Sequence, residues 1–179
     1  MSDDRIERIR QLVRDVPDFP KPGIVFKDIT PVLADADALS ASALAMADPF
    51  RDAGITTVVG IESRGFIFGT PVARELGAGF VPARKPGKLP WKTTSVSYEL
   101  EYGKDSLELH QDAVSPGAQV LIVDDLLATG GTADAACRLV RGLGAEVAGV
   151  VFMIELAFLK GRARLMPAHT RVVHSLITY

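Results

Sequence analysis

Apolar positions along this chain fall into two rhythms. Ile6, Ile9, Val13 and Val16 recur at helical spacing after Ser2, Asp3 and Asp4, which can cap a helix start, so a helix is predicted that stops before Pro17. In the following stretch PDFPKPGIVFKDIT, Pro17, Pro20, Pro22 and Gly23 rule out a regular helix. Residues 39–50 are alanine-rich and helical in pattern, ending near Gly54. Residues 55–61 read as a buried strand, and a helix follows Glu62, Ser63, Arg64 and Gly65 through about Leu76. A third short strand covers 79–84. Residues 91–95 are polar, without helical period, and carry an exposed-looking Trp91. Residues 97–102 alternate as a half-buried strand, and Gly103, Lys104 and Asp105 turn into 106–110, which predicts a hairpin.

The apolar run Val120, Leu121, Ile122, Val123 suits a strand buried on both faces. A helical pattern follows over 133–140, a further core strand over 146–155 and a last strand over 171–177. Strands alternating with helices predict an α/β fold around a mostly parallel sheet, with ligands at the strands' carboxyl ends. There is no internal repeat or low-complexity tract.

Composition narrows the class only a little. The 179 residues, 47% hydrophobic and 23% charged, are enough for one domain with a sizeable core. No apolar run approaches the roughly 18 residues of a membrane span, and MSDDRIERIR is too charged for a signal peptide. The single Cys137 excludes an intrachain disulfide and agrees with a reducing cytoplasm; set in an apolar helix pattern, it reads as a packed thiol rather than a nucleophile. A formal charge of −2 gives no support for nucleic-acid binding. His110, His169 and His174 are scattered without metal-ligand spacing.

The chemistry concentrates after the strand at 120–123, where Asp124 and Asp125 close it and Ala128, Thr129, Gly130, Gly131 and Thr132 lead into the next helix. Glycines let backbone N–H groups approach a phosphate, and the helix N-terminus adds partial positive charge. Thr129 and Thr132 can donate to phosphate oxygens, while carboxylates suit sugar hydroxyls. An ordinary strand-to-helix loop with solvated acids is the alternative reading. Two better-known loops are excluded: no GxxxxGK precedes a Ser or Thr, and Gly142, Leu143, Gly144 is followed by Val147 where GxGxxG needs glycine.

The stretch VDDLLATGGT resembles the PRPP-binding signature of the phosphoribosyltransferases, and its spelling is similar to the adenine branch. PGIVFKDI resembles that branch's N-terminal hood, and ELEYG resembles its catalytic hairpin motif, so the resemblance covers nearly the whole chain. It implies the type I phosphoribosyltransferase fold over 1–179, with a hood near 17–34, a mobile loop and hairpin near 86–111, and a homodimer. It also implies purine salvage in the cytoplasm: adenine plus PRPP giving AMP plus pyrophosphate, with Mg²⁺ arriving on PRPP oxygens and water rather than in a protein cage.

In residue terms, the resemblance implies that Asp124 and Asp125 hold the ribose hydroxyls and that 128–132 hold the 5′-phosphate. Glu62, Ser63 and Arg64 form the pyrophosphate loop, with a cis peptide falling at Glu62-Ser63. Arg84, Lys85 and Lys88 add positive charge. Backbone near Val25 and Lys27 meets the base edge, Phe26 stacks on its ring, and Leu156 covers the other face or is a core leucine. Glu101 is the implied proton donor, with Glu99 the alternative. The rival readings are a transferase for hypoxanthine or xanthine, and a PRPP-sensing regulatory module. The segment at 90–94 has no assigned contacts.

Overall fold

The computed structural model describes residues 3–99 and 104–179. Helix α1 (Asp3–Leu12) buries Ile9 but ends earlier than its apolar spacing predicts. Val16 precedes a proline, which disfavours helical backbone. The chain therefore leaves the helix for strand β1 (Arg14–Pro17), which pairs antiparallel with β2 (Val25–Asp28), Val16 opposite Phe26. The β1–β2 pair thus begins at Arg14, three residues before the proline-rich stretch. Helix α2 (Thr30–Ala34) follows, then α3 (Ala36–Ala47), whose N-cap Asp35 accepts from the Ala38 N–H at 2.8 Å.

Five parallel strands make the central sheet. Strand β3 (Thr57–Ile61) leads through α4 (Gly65–Leu76) to β4 (Gly79–Ala83). Strand β5 (Thr93–Glu99) and β6 (Lys104–His110) form the predicted hairpin, but Lys104 and Asp105, expected in its turn, already pair with Glu99 and Tyr98; Gly103 lies outside the described residues. Strand β7 (Gln119–Leu127) leads through α5 (Gly131–Gly142) to β8 (Glu146–Glu155). A 3-10 turn (Ala157–Leu159), the short helix α6 (Gly161–Leu165) and β9 (Val173–Thr178) complete the chain. The sheet order is β4-β3-β7-β8-β9, with every neighbouring pair parallel.

Several strand edges shift from the pattern-based expectation; β3 and β9, for example, begin at Thr57 and Val173, and at β5 and β7 the physical reason is visible. Strand β5 starts at Thr93, pairing with His110, because its inward positions are Thr94, Val96 and Tyr98, and the leading threonine hides the alternation. Strand β7 does not stop at the acids; its ladder to β8 continues through Asp124 opposite Phe152 to Leu127 opposite Glu155.

The sheet separates two apolar layers. Val59, Val120, Ile122, Val150 and Phe152 pack with α5 and with Tyr98, Leu107 and Leu109 of the hairpin. Val58, Leu121, Val123, Val151 and Met153 pack with Ile9, Met46, Phe50, Phe68 and Val72 on the α1, α3 and α4 side. This is the period-two sorting expected of strands buried on both faces.

Candidate active site

The chain moves outward from β3 to β4 by one crossover, and from β7 to β8 and β9 by the others, so the order reverses between β3 and β7. Such a switch point opens a crevice at the carboxyl ends of the two strands. The loops after β3 and β7 both lie there. A groove of about 300 Å³ between α1 and α3, lined by Arg5, Arg8, Asp37 and Ser40, contains none of these loop residues.

Regular alternation would send adjacent carboxylates to opposite faces of β7. Instead the alternation breaks at the acids: Leu121 and Val123 share one layer, yet Leu126 packs with them, while Leu127 packs with Val120 and Ile122. The break keeps the two acids together. The Asp125 N–H donates to Asp124 Oδ1 at 2.9 Å, and Arg64 Nε reaches Asp125 Oδ2 at 2.8 Å. Asp125 is 7% exposed; Asp124 keeps some residue surface, but its carboxyl is enclosed. Burial, reinforced by the charge of Asp125, pushes the Asp124 carboxyl well above its ordinary value. Burial also raises Asp125, opposed by Arg64. A buried, like-charged pair of this kind favours hydrogen-bond donors or cations as partners.

The turn beyond β7 is shaped by backbone contact. Gly130 has φ of 80°, and a Cβ on it would sit 2.7 Å from the Gly161 carbonyl oxygen. A Cβ on Gly161 would sit 2.2 Å from the Ala128 carbonyl oxygen, so only glycines permit this approach. Helix α5 starts at Gly131 with no side-chain cap, which leaves its first N–H groups directed at the turn. Thr129 is exposed and Thr132 half-buried beside them.

On the β3 side the Glu62-Ser63 peptide is cis, as the resemblance implies. Glu62 faces away along the sheet edge: it accepts from Arg84 Nε at 3.1 Å and from the Lys85 N–H at 2.9 Å. Burial works to raise its carboxyl, and those two donors outweigh it and hold it low. Lys85 reaches Asp105 of β6 at 3.0 Å. Ser63 and Lys88 are exposed, and Gly65 lies so close to Asp124 that a Cβ there would come 2.9 Å from Oδ1.

The β1–β2 pair lies beside the β3 loop. The Arg64 guanidinium carbon stands 5.3 Å from the Phe26 ring centroid, and Phe19 meets that ring edge-on at 5.2 Å. Val25 is exposed, while Lys27 pairs with Asp15 at 2.6 Å and lies over the Tyr179 ring at 3.9 Å. Leu156 is half-buried where β8 ends, its N–H donating to the Leu127 carbonyl at 2.9 Å.

A family model described as "Phosphoribosyl transferase domain" matches residues 27–176. The chain belongs to this phosphoribosyltransferase family. Adenine phosphoribosyltransferase of Nitrosococcus oceani is 56% identical over 174 residues, covering 97% of this chain and all of that relative. The crystal structure of adenine phosphoribosyltransferase from Rhodothermus marinus superposes with a TM-score of 0.93 at 53% identity, over 99% of this chain and 100% of that one. The Saccharomyces cerevisiae enzyme, crystallised with an imino-altritol bisphosphate and adenine, gives 0.89 at 39% identity, over 98% and 99% of the two chains. The fold is that of the type I phosphoribosyltransferases.

In this phosphoribosyltransferase Asp124, Asp125, Arg64 and Phe26 come together through contacts among β7, the β3 loop and β2, and the 128–132 turn follows directly on β7. Arg84 and Lys85 stand one step back, engaged with Glu62 and Asp105. Glu101 lies outside the described residues. Pattern reading missed Gly161, which backs the turn, and Asp105, which holds Lys85. The glycine opening α6 was a visible signal for the first; nothing local marks the second. Cys137 is fully buried, its thiol pushed up to about 12 by burial, as a packed residue should be.

Proposed function

We propose that this chain transfers the 5-phosphoribosyl group from PRPP to adenine, releasing AMP and pyrophosphate. The observation that carries the reading is the buried acid pair beside a glycine turn at a helix start, placed at the sheet's switch point and faced by Arg64. Backbone N–H groups of 128–132 hold the 5′-phosphate, with Thr129 and Thr132 as hydroxyl donors. Asp124 and Asp125 accept from the ribose 2′- and 3′-hydroxyls, whose donors favour the ionised acids that burial alone opposes.

As the C1′–O bond breaks, the ribose gains positive character and the leaving pyrophosphate gains negative charge. Arg64 and the exposed Lys85 and Lys88 neutralise the pyrophosphate from the β3 side with Ser63, while Arg84 braces Glu62 behind them. The acid pair offsets the charge on the sugar. Adenine lies against Phe26, with Leu156 opposite and backbone acceptors near Val25 and Lys27 pairing with its amine. Glu101 shares a proton with purine N7 as N9 bonds to C1′, and the base's own N9 proton is released, since adenine loses one proton net on becoming AMP.

The residues fit Mg²⁺ carried on substrate. The acid pair offers hard oxygen donors at the ribose, and the remaining positions are left to PRPP oxygens and water. When bound, Mg²⁺ supplies charge neutralisation to the pyrophosphate. The active form is a homodimer working in the cytoplasm, a setting with which a single, fully buried Cys137 agrees.

The test is PRPP-dependent turnover of adenine, hypoxanthine, guanine and xanthine compared side by side. A 6-oxo group opposite backbone acceptors lowers kcat/KM by about 10⁴-fold at a site built on that hydrogen bond. Comparable efficiency with hypoxanthine would move the assignment to another purine, and PRPP binding without turnover of any base would make the chain a PRPP-sensing module.

A further inference from the structure

The phosphate turn is only as firm as the wall behind it. That wall is the backbone of Gly161, in contact with Ala128 and Gly130. Gly161 opens α6, a five-residue helix too short to be stable by itself. Tertiary contacts must therefore hold it. On one side Arg162 is anchored to Glu155, Ser175 and the Val173 carbonyl. Leu165 is fully buried beneath.

On the other side the contacts converge on one carboxylate, Asp134 in the first turn of α5. His169 Nε2 lies 2.7 Å from Asp134 Oδ1, and Arg164 of α6 lies 3.5 Å from Oδ2, which Arg138 also approaches at 3.3 Å. The Asp134 N–H donates to the Gly130 carbonyl at 2.9 Å. One residue thus grips the turn by its backbone and the wall by its side chain. His169 Nδ1 is buried and has no hydrogen-bond partner among the described residues. A proton there would find no acceptor, so the bond to Asp134 is donated by Nε2–H.

We propose that Asp134 is a positioning residue for the phosphate turn, strapping α6 and the 166–172 segment to α5 so that Gly161 holds Gly130 in its left-handed conformation. The inference rests on the reading that residues 128–132 take the 5′-phosphate of PRPP. Charge alone would act with the opposite sign. A carboxylate near a phosphate site repels it, so its removal should tighten PRPP binding.

The experiment compares wild type, Asp134→Ala and Asp134→Asn as full chains. It measures PRPP affinity by titration, adenine KM at saturating PRPP, and hydrogen exchange of the 131 and 132 amides. Loss of a partly buried, charge-assisted contact should weaken PRPP by about tenfold in the alanine variant. Amide exchange should quicken, while adenine KM stays within about twofold. Asparagine can still accept from His169, so Asp134→Asn should lie nearer wild type. PRPP affinity equal to or tighter than wild type in Asp134→Ala overturns the proposal, as do unchanged exchange rates. Should Asp134→Ala not fold, Arg164→Gln at an exposed position carries the test through the 131 and 132 amides: their exchange should quicken, which loss of a positive charge alone would not cause, and unchanged exchange refutes the proposal. A wild type that binds no PRPP refutes the phosphate reading itself, and the strap falls with it.

Discussion

Replacing Gly130 by alanine puts two separable strains on the turn beyond β7. The first is conformational: φ of 80° lies in the left-handed region, which costs a residue with a Cβ about 1–2 kcal/mol. The second is contact, since the new Cβ would lie 2.7 Å from the Gly161 carbonyl oxygen. To recover an ordinary separation the turn or its wall must give by about 0.7 Å, a shift large on the scale of packing contacts. Amides displaced that far from a phosphate oxygen lose at least one charge-assisted hydrogen bond, worth about 1.5–3 kcal/mol. PRPP affinity should therefore fall about 10- to 100-fold, measured by titration of the folded variant. Gly117→Ala supplies the control: its φ is 77°, but a Cβ there meets nothing within 4 Å, and it precedes the opposite end of β7. It should lose a few degrees in Tm and leave PRPP affinity alone. Wild-type affinity in a folded Gly130→Ala protein, or an equal loss in the Gly117 variant, would refute the assignment of the turn.

Three further outcomes follow from the site. Asp124→Ala and Asp125→Ala should each lower turnover, and the double variant should lose less than the product of the two, because the acids share one diol; full activity in both single variants would leave them as structural acids. Ionising Asp124 in the fold is opposed by burial, so its folded proton affinity is raised and stability without substrate should fall as pH rises above the ordinary 3.8. Asp124→Asn should then match wild-type Tm below that pH and exceed it increasingly above; parallel Tm–pH curves would contradict this. Glu101→Gln should slow single-turnover AMP formation by about 10²–10⁴-fold with little change in adenine binding, and a larger loss in Glu99→Gln would transfer the acid role to that residue.

The parts legible from the chain were those whose cause is local. A strand buried on both faces must be a continuous apolar run, so β3, β7 and β8 stood out, and a glycine turn at a helix start announces itself within five residues. The same locality misled at Val16, where helical spacing continued past the point at which pairing with Phe26 takes over, and at Thr93, where a polar inward position concealed a strand. The role of Glu101 rested on resemblance rather than pattern, since alternation alone does not distinguish it from Glu99.

What only the tertiary structure decided is which side chains face each other across the crevice. Arg64 and Asp125 are joined because α4 carries the chain away from β3 and the sheet order brings β7 back beside it. The neighbouring acids stay on one side because the alternation of β7 breaks at them, a consequence of packing against two layers that no dipeptide reveals. Asp134 meets His169 and Arg164 only once β8 has been threaded between α5 and α6. Hydrophobic periodicity and turn chemistry act over a few residues and are written in the sequence itself. Ion pairs and backbone-to-backbone contacts act through space, and their partners exist only after the sheet has set the distances.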